Sequence, residues 1–160
     1  MLEQLKELLE MQRVLDEAIL KEHGNIYDEK IADQMKIALF VELGELMNEM
    51  PTKFKHWKKT AKDNREAALV EYVDALHFQM SLFNYYKLET NVFLDYKNRN
   101  FRIGMELSDL LINCVRYSHS PTGINQLFDI GSYLGFTWDE IYKAYKAKNA
   151  VNYERLKNGY

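Results

Sequence analysis

Proline and glycine are scarce: two and seven in 160 residues, so little interrupts a long helix. The single Cys114 excludes an intrachain disulfide and fits a reducing compartment. No charge-free stretch is long enough to span a bilayer, and the opening MLEQLKELLE lacks the apolar core of a signal peptide. The expectation is a cytoplasmic protein with no membrane partner. Excess positive charge is missing too. A net charge of −3 gives no reason to expect a nucleic-acid partner. The basic residues that do exist are clustered. Residues 51–62, PTKFKHWKKTAK, hold five lysines and no acid, and residues 141–160 hold four basic residues beside Lys148 against Glu154 alone. Two such segments in a mildly acidic chain suit a small anionic ligand better than a long polyanion.

Apolar residues recur every three or four positions and strict alternation is rare, so the chain reads as all-α, a mostly antiparallel helical bundle in one domain spanning residues 1–160. A first helix over about Leu2–Glu22 stops at His23-Gly24. Asp28 caps a second, which ends before Pro51. Asp63 with Glu66 resembles a capping box for a third helix reaching about Tyr86, and Thr137 with Glu140 another for the last. Between them lie helices over about Met105–Tyr117 and Ile124–Leu134. Residues 87–104 form a polar, aromatic segment, a possible small insertion.

The second and third helices share an oddity. IALFVELGELM carries Glu42 and Glu45, and AALVEYVDALHFQMSLFNYY carries Glu71 and Asp74, with no Lys or Arg three or four residues from any of them. Each pair is spaced i, i+3, which places both carboxylates on one face. An uncompensated acid in apolar surroundings costs several kcal/mol. One such pair is easily explained as a solvent-exposed helix edge. Two pairs, each isolated in an apolar run, point instead to four carboxylates converging on a cation. Oxygen-only ligands favour hard ions, Mg²⁺ ahead of Mn²⁺ or Ca²⁺.

The order ELGE, 25 intervening residues, EYVD resembles the all-α NTP pyrophosphatases, the MazG-like superfamily, and within it the dimeric dUTPases. ELGELMNEMPTKFKHWKK, EYVDALHF and the tail KNAVNYERLKNGY carry that resemblance over nearly the whole chain. It implies that Glu42, Glu45, Glu71 and Asp74 bind two or more Mg²⁺ ions, with Mn²⁺ an alternative. Glu42 or Glu45, Glu42 first, would orient or deprotonate the attacking water. It implies a homodimer that hydrolyses dUTP to dUMP and pyrophosphate, with dCTP or a broader set of dNTPs as the alternative. Lys55, Lys148, Asn152, Arg155 and Tyr160 match phosphate-binding positions. Gln12, Trp57, His77 and Phe78 match base-binding ones. The departure is Leu15, where some relatives carry Asn, and it leaves base choice open.

Two readings of other classes compete. A ferritin-like di-iron protein also gathers carboxylates in a helical bundle, but that design needs Glu-x-x-His on two helices, and here Asp74-x-x-His77 occurs once. A non-enzymatic helical interaction protein explains neither the isolated acids nor the basic tail.

Overall fold

The computed structural model describes residues 1–90 and 105–159. Six α-helices and no strand occur among them: α1 (Leu2–Glu22), α2 (Glu29–Glu49), α3 (Arg65–Tyr85), α4 (Leu107–Arg116), α5 (Pro121–Tyr133) and α6 (Trp138–Lys157). A single 3₁₀ turn, Pro51–Lys53, follows α2. The all-α bundle is the fold that the apolar spacing predicts. Of the segment read as a possible insertion, residues 91–104 lie outside the described residues.

Local chemistry sets the boundaries. Gly24 follows α1 with φ +65°, a backbone shape that L side chains rarely adopt. The Asp28 carboxylate accepts the Ile31 N–H at 2.9 Å and opens α2. The expected box at Thr137 and Glu140 is present in both directions. The expected box at Asp63 is not. Asn64 caps α3 by accepting the Ala67 N–H, while Asp63 turns away to take the Thr52 N–H at 2.9 Å and its hydroxyl at 2.6 Å. Asp63 therefore ties the two ends of the basic loop together. Helix α5 begins at Pro121, three residues before the sequence estimate, because Pro suits the first helical position and Ser120 supplies the cap.

Helix α3 is central. It pairs most extensively with α2 and also touches α1, α5 and α6, while α4 packs on α5 and α1 on α6. Its buried residues, among them Tyr72, Val73, Leu76, Met80 and Phe83, lie all around its axis, as expected of a helix enclosed by others. One close approach fixes how α5 lies on it. A Cβ at Gly131 would stand 2.6 Å from the Tyr72 hydroxyl oxygen, and Tyr72 is fully buried with its hydroxyl donating to the Leu127 carbonyl at 3.1 Å. Gly131→Ala is therefore expected to destabilise the fold by about 1–3 kcal/mol through overpacking, read as a lower urea midpoint.

Helix α1 shows how the site is seeded. Its buried stripe is Leu5, Leu8, Leu9, Gln12, Leu15 and Asp16, an amphipathic spacing in which two polar residues occupy core positions. Gln12 bonds to α3 and α6, and Asp16 to α3.

Candidate metal and nucleotide site

Pairing of α2 with α3 brings the acids together. Glu42, Glu45 and Glu71 each offer a carboxylate oxygen, and these oxygens lie within 4.8 Å of one another. None of the three is ion-paired with Lys or Arg among the described residues. Partial burial first, and then the charges of Asp74, Glu45 and Glu71, push the Glu42 carboxyl up to about 7. Glu71 is raised by burial and by its neighbours Asp74 and Glu45, with Glu49 adding to the repulsion. The donor set is oxygen only and partly open to solvent, which fits a hard divalent ion such as Mg²⁺ or Mn²⁺.

The fourth acid behaves differently. Lys148, on α6, places its ammonium 2.5 Å from Asp74 Oδ2, with both side chains largely buried. The expectation of four unpaired acids is thus corrected: three are unpaired, and Asp74 has a cation from another helix. The same lysine partly offsets the repulsion felt by Glu42 and Glu71.

Beside this cluster lies a cavity of about 300 Å³. Helix α1 contributes Gln12, Leu15 and Asp16 to its wall, α2 contributes Met35 and Glu42, α3 contributes Asp74, His77, Phe78 and Ser81, and α6 contributes Lys148, Asn152 and Arg155. Eight of the residues singled out in the sequence therefore meet at one place: Gln12, Glu42, Asp74, His77, Phe78, Lys148, Asn152 and Arg155. Glu45 and Glu71 join them through Glu42. Lys55 and Trp57 do not reach this wall. Trp57 is 66% exposed and stands edge-on to Phe54 and His56, while the Lys55 ammonium lies over the Phe54 ring. Tyr160 lies outside the described residues.

The inner end of the cavity is a hydrogen-bonded cluster that the sequence conceals. Gln12 Nε2 donates to Asp16 Oδ1 at 2.7 Å and to Ser81 Oγ at 3.0 Å. Gln12 Oε1 accepts the Tyr145 hydroxyl at 2.5 Å and lies 2.6 Å from His77 Nδ1. The His77 and Tyr145 rings stack with centroids 3.9 Å apart. Burial first raises Asp16 to about 6, against the lowering effect of its bonds from Gln12 and Ser81. Asp16, Ser81, Tyr145 and Glu49 were missed at the sequence level. The available signals were Asp16 one turn beyond Gln12 within an apolar stripe, and Glu49 one turn beyond Glu45.

An all-helical bundle with a convergent carboxylate cluster, opening on a cavity with a cationic wall, is an arrangement suited to binding a divalent ion and a phosphorylated ligand together. The model of the family described as dUTPase matches residues 4–160, and the chain belongs to that family, the dimeric all-α dUTPases. Membership implies a nucleoside triphosphate diphosphatase acting on a nucleotide, in a family that is typically metal-dependent. No curated protein matches the chain. No described helix is long and apolar enough to cross a membrane.

Proposed function

We propose that this chain hydrolyses dUTP to dUMP and pyrophosphate with Mg²⁺ as cofactor, working as a cytoplasmic homodimer. The observation that carries the reading is the meeting of three unpaired carboxylates, two of them rooted in one helix, with a cavity that offers both cations and an aromatic, hydrogen-bonding inner end. Glu42, Glu45 and Glu71 would hold the ion, and Asp74, paired with Lys148 in the ion-free protein, would be a fourth donor. A bound divalent ion neutralises phosphate charge and lowers the pKa of bound water.

The protein's own groups do the rest. Lys148, Asn152 and Arg155 lie along one side of α6 and present an ammonium, an amide and a guanidinium to phosphate oxygens. Phe78 offers a ring face to the base and His77 a ring nitrogen. Glu42, on the cavity wall and within the carboxylate cluster, is placed to accept the proton of the attacking water. The family resemblance assigns Lys55 and Tyr160 to the phosphates and Trp57 to the base. The exposed apolar side chains Phe40, Val41 and Ile112, beside a groove between α2 and α4, favour a second copy of the chain as the partner.

The ferritin-like alternative loses ground. His77 is engaged by Gln12 rather than by the carboxylate cluster. The experiment is a panel of separate dNTPs with Mg²⁺, with and without EDTA, in which pyrophosphate is measured. Metal-dependent release is expected, fastest with dUTP. No turnover of any dNTP would remove the reading, and a preference for dCTP would replace its substrate.

A further inference from the structure

The buried bonds at the inner end of the cavity have a direction. An ionised carboxylate only accepts, so the Gln12 amide must turn its NH₂ toward Asp16 Oδ1. Its oxygen then faces the other way, to the Tyr145 hydroxyl and His77 Nδ1. An amide oxygen also only accepts, so the hydrogen between it and His77 must sit on Nδ1. Burial first, and then the Lys148 charge, push His77 down to about 3 against the raising effect of the Tyr145 backbone, so its ring is neutral and carries one N–H. With that hydrogen on Nδ1, Nε2 is a bare lone pair. Nε2 has no hydrogen-bond partner in the protein, although His77 is 95% buried and lines the cavity. An orphaned buried acceptor of this kind is uncommon and points to an occupant that completes it.

We propose that Asp16 is a specificity-determining positioning residue: by orienting the Gln12 amide it holds His77 in the Nδ1–H form, and the Nε2 lone pair left at the cavity selects a nucleobase presenting a ring N–H over one presenting a ring lone pair. The proposal rests on the dNTP reading of this cavity and deepens it. Uracil carries a hydrogen on N3, whereas cytosine has a lone pair there. Against His77 Nε2 the first makes a bond. The second sets two buried acceptors face to face, a loss of the kind that gives polar sites their large discrimination.

To accept cytosine at that point, the whole chain of bonds would have to reverse. His77 would carry its hydrogen on Nε2, Gln12 would rotate its NH₂ to Nδ1, and Gln12 Oε1 would meet the Asp16 carboxylate at 2.7 Å, acceptor against acceptor. While ionised, Asp16 disfavours that state, and only protonation of its carboxyl, raised to about 6, would relieve the clash. Asn at position 16 would allow the reversed state, because its own NH₂ can donate to a rotated Gln12.

Asp16→Asn tests this with two readouts. In the first, kcat/KM is measured for dUTP and dCTP. The dUTP:dCTP ratio, expected to be about a hundredfold or more in the native chain, falls at least tenfold in Asp16→Asn, chiefly through faster dCTP turnover. In the second, ¹⁵N NMR of the imidazoles reads the tautomer directly, and with four histidines in the chain His77 is readily assigned. The expected result is a protonated Nδ1 and a bare Nε2 in the native protein, shifting to a mixture or to Nε2–H in Asp16→Asn. A native His77 protonated on Nε2 would overturn the proposal with no variant needed, as would a variant that keeps both the tautomer and the ratio. If no dNTP is turned over, the nucleotidase reading fails by itself. The tautomer measurement then still decides whether Asp16 positions His77.

Discussion

Glu42→Gln is expected to lower kcat by roughly two to four orders of magnitude while making the ion-free protein more resistant to heat at pH 8. Loss of activity follows from exchanging a charged oxygen donor for a neutral amide and removing the group placed to accept a proton, the second of which alone is typically worth about 10²–10⁴ in rate. The stability effect has the opposite sign. Glu42 has its folded-state pKa raised from 4.5 to about 7. Between those values the folded chain keeps a proton that the unfolded chain has released, so stability falls as pH rises through that window and stays lowered above it. Gln carries no charge and escapes the penalty. The gain in Tm should therefore be present at pH 8 and vanish near pH 4, where Glu42 is protonated in both states. Thermal melts at the two pH values, beside a pyrophosphate assay, check it. Wild-type turnover, or a Tm change that is the same at pH 4 and pH 8, would remove Glu42 from its assigned place.

That trade of stability for charge explains why the site could be read from the sequence as far as it was. Glu42, Glu45 and Glu71 stand out because helical periodicity fixes which side chains share a face, and a charge in an apolar run is visible without a fold. Helix ends were legible at several places where the chemistry is local, as at Gly24, Asp28 and the Thr137–Glu140 box, although the local Ser120-Pro121 start of α5 lies three residues before the estimate. They were not where a better long-range partner intervened. Asp63 has a capping residue's chemistry but meets Thr52 across the basic loop, and Asn64 takes the cap. Asp74 looks unpaired because its partner, Lys148, is 74 positions away on another helix. Lys55 and Trp57 sit on a loop, where no periodicity fixes direction. Asp16 was hidden for a different reason. It occupies a core position of α1, and only the arrival of Ser81 from α3 and Tyr145 from α6 turns Gln12 and Asp16 into a directed pair.

Lys148→Met should separate two roles that the native lysine combines. Without nucleotide its ammonium stands on Asp74, occupying one of the carboxylates that the family resemblance assigns to the ion. With nucleotide, the proposed role of the same ammonium is to meet a phosphate oxygen, from the cavity wall that it shares with Arg155. Met keeps the apolar stem and removes the charge. Turnover should then drop, with kcat/KM for the preferred dNTP falling by about 10–150-fold, the range of one lost charge-assisted hydrogen bond of about 1.5–3 kcal/mol. Divalent-ion binding in the absence of nucleotide should move the other way and tighten several-fold, because Asp74 loses its competitor and the cluster loses a neighbouring positive charge. The ion-free variant should be less stable by about 1–3 kcal/mol, since a largely buried carboxylate is left without a partner, and added Mn²⁺ should restore more Tm than it does in the native chain. Electron paramagnetic resonance titration with Mn²⁺ reads the affinity directly. Weaker Mn²⁺ binding in Lys148→Met would mean that the lysine supports the ion rather than holding its place. The exchange of Lys148 from carboxylate to phosphate, which couples ion binding to nucleotide binding, would then be wrong.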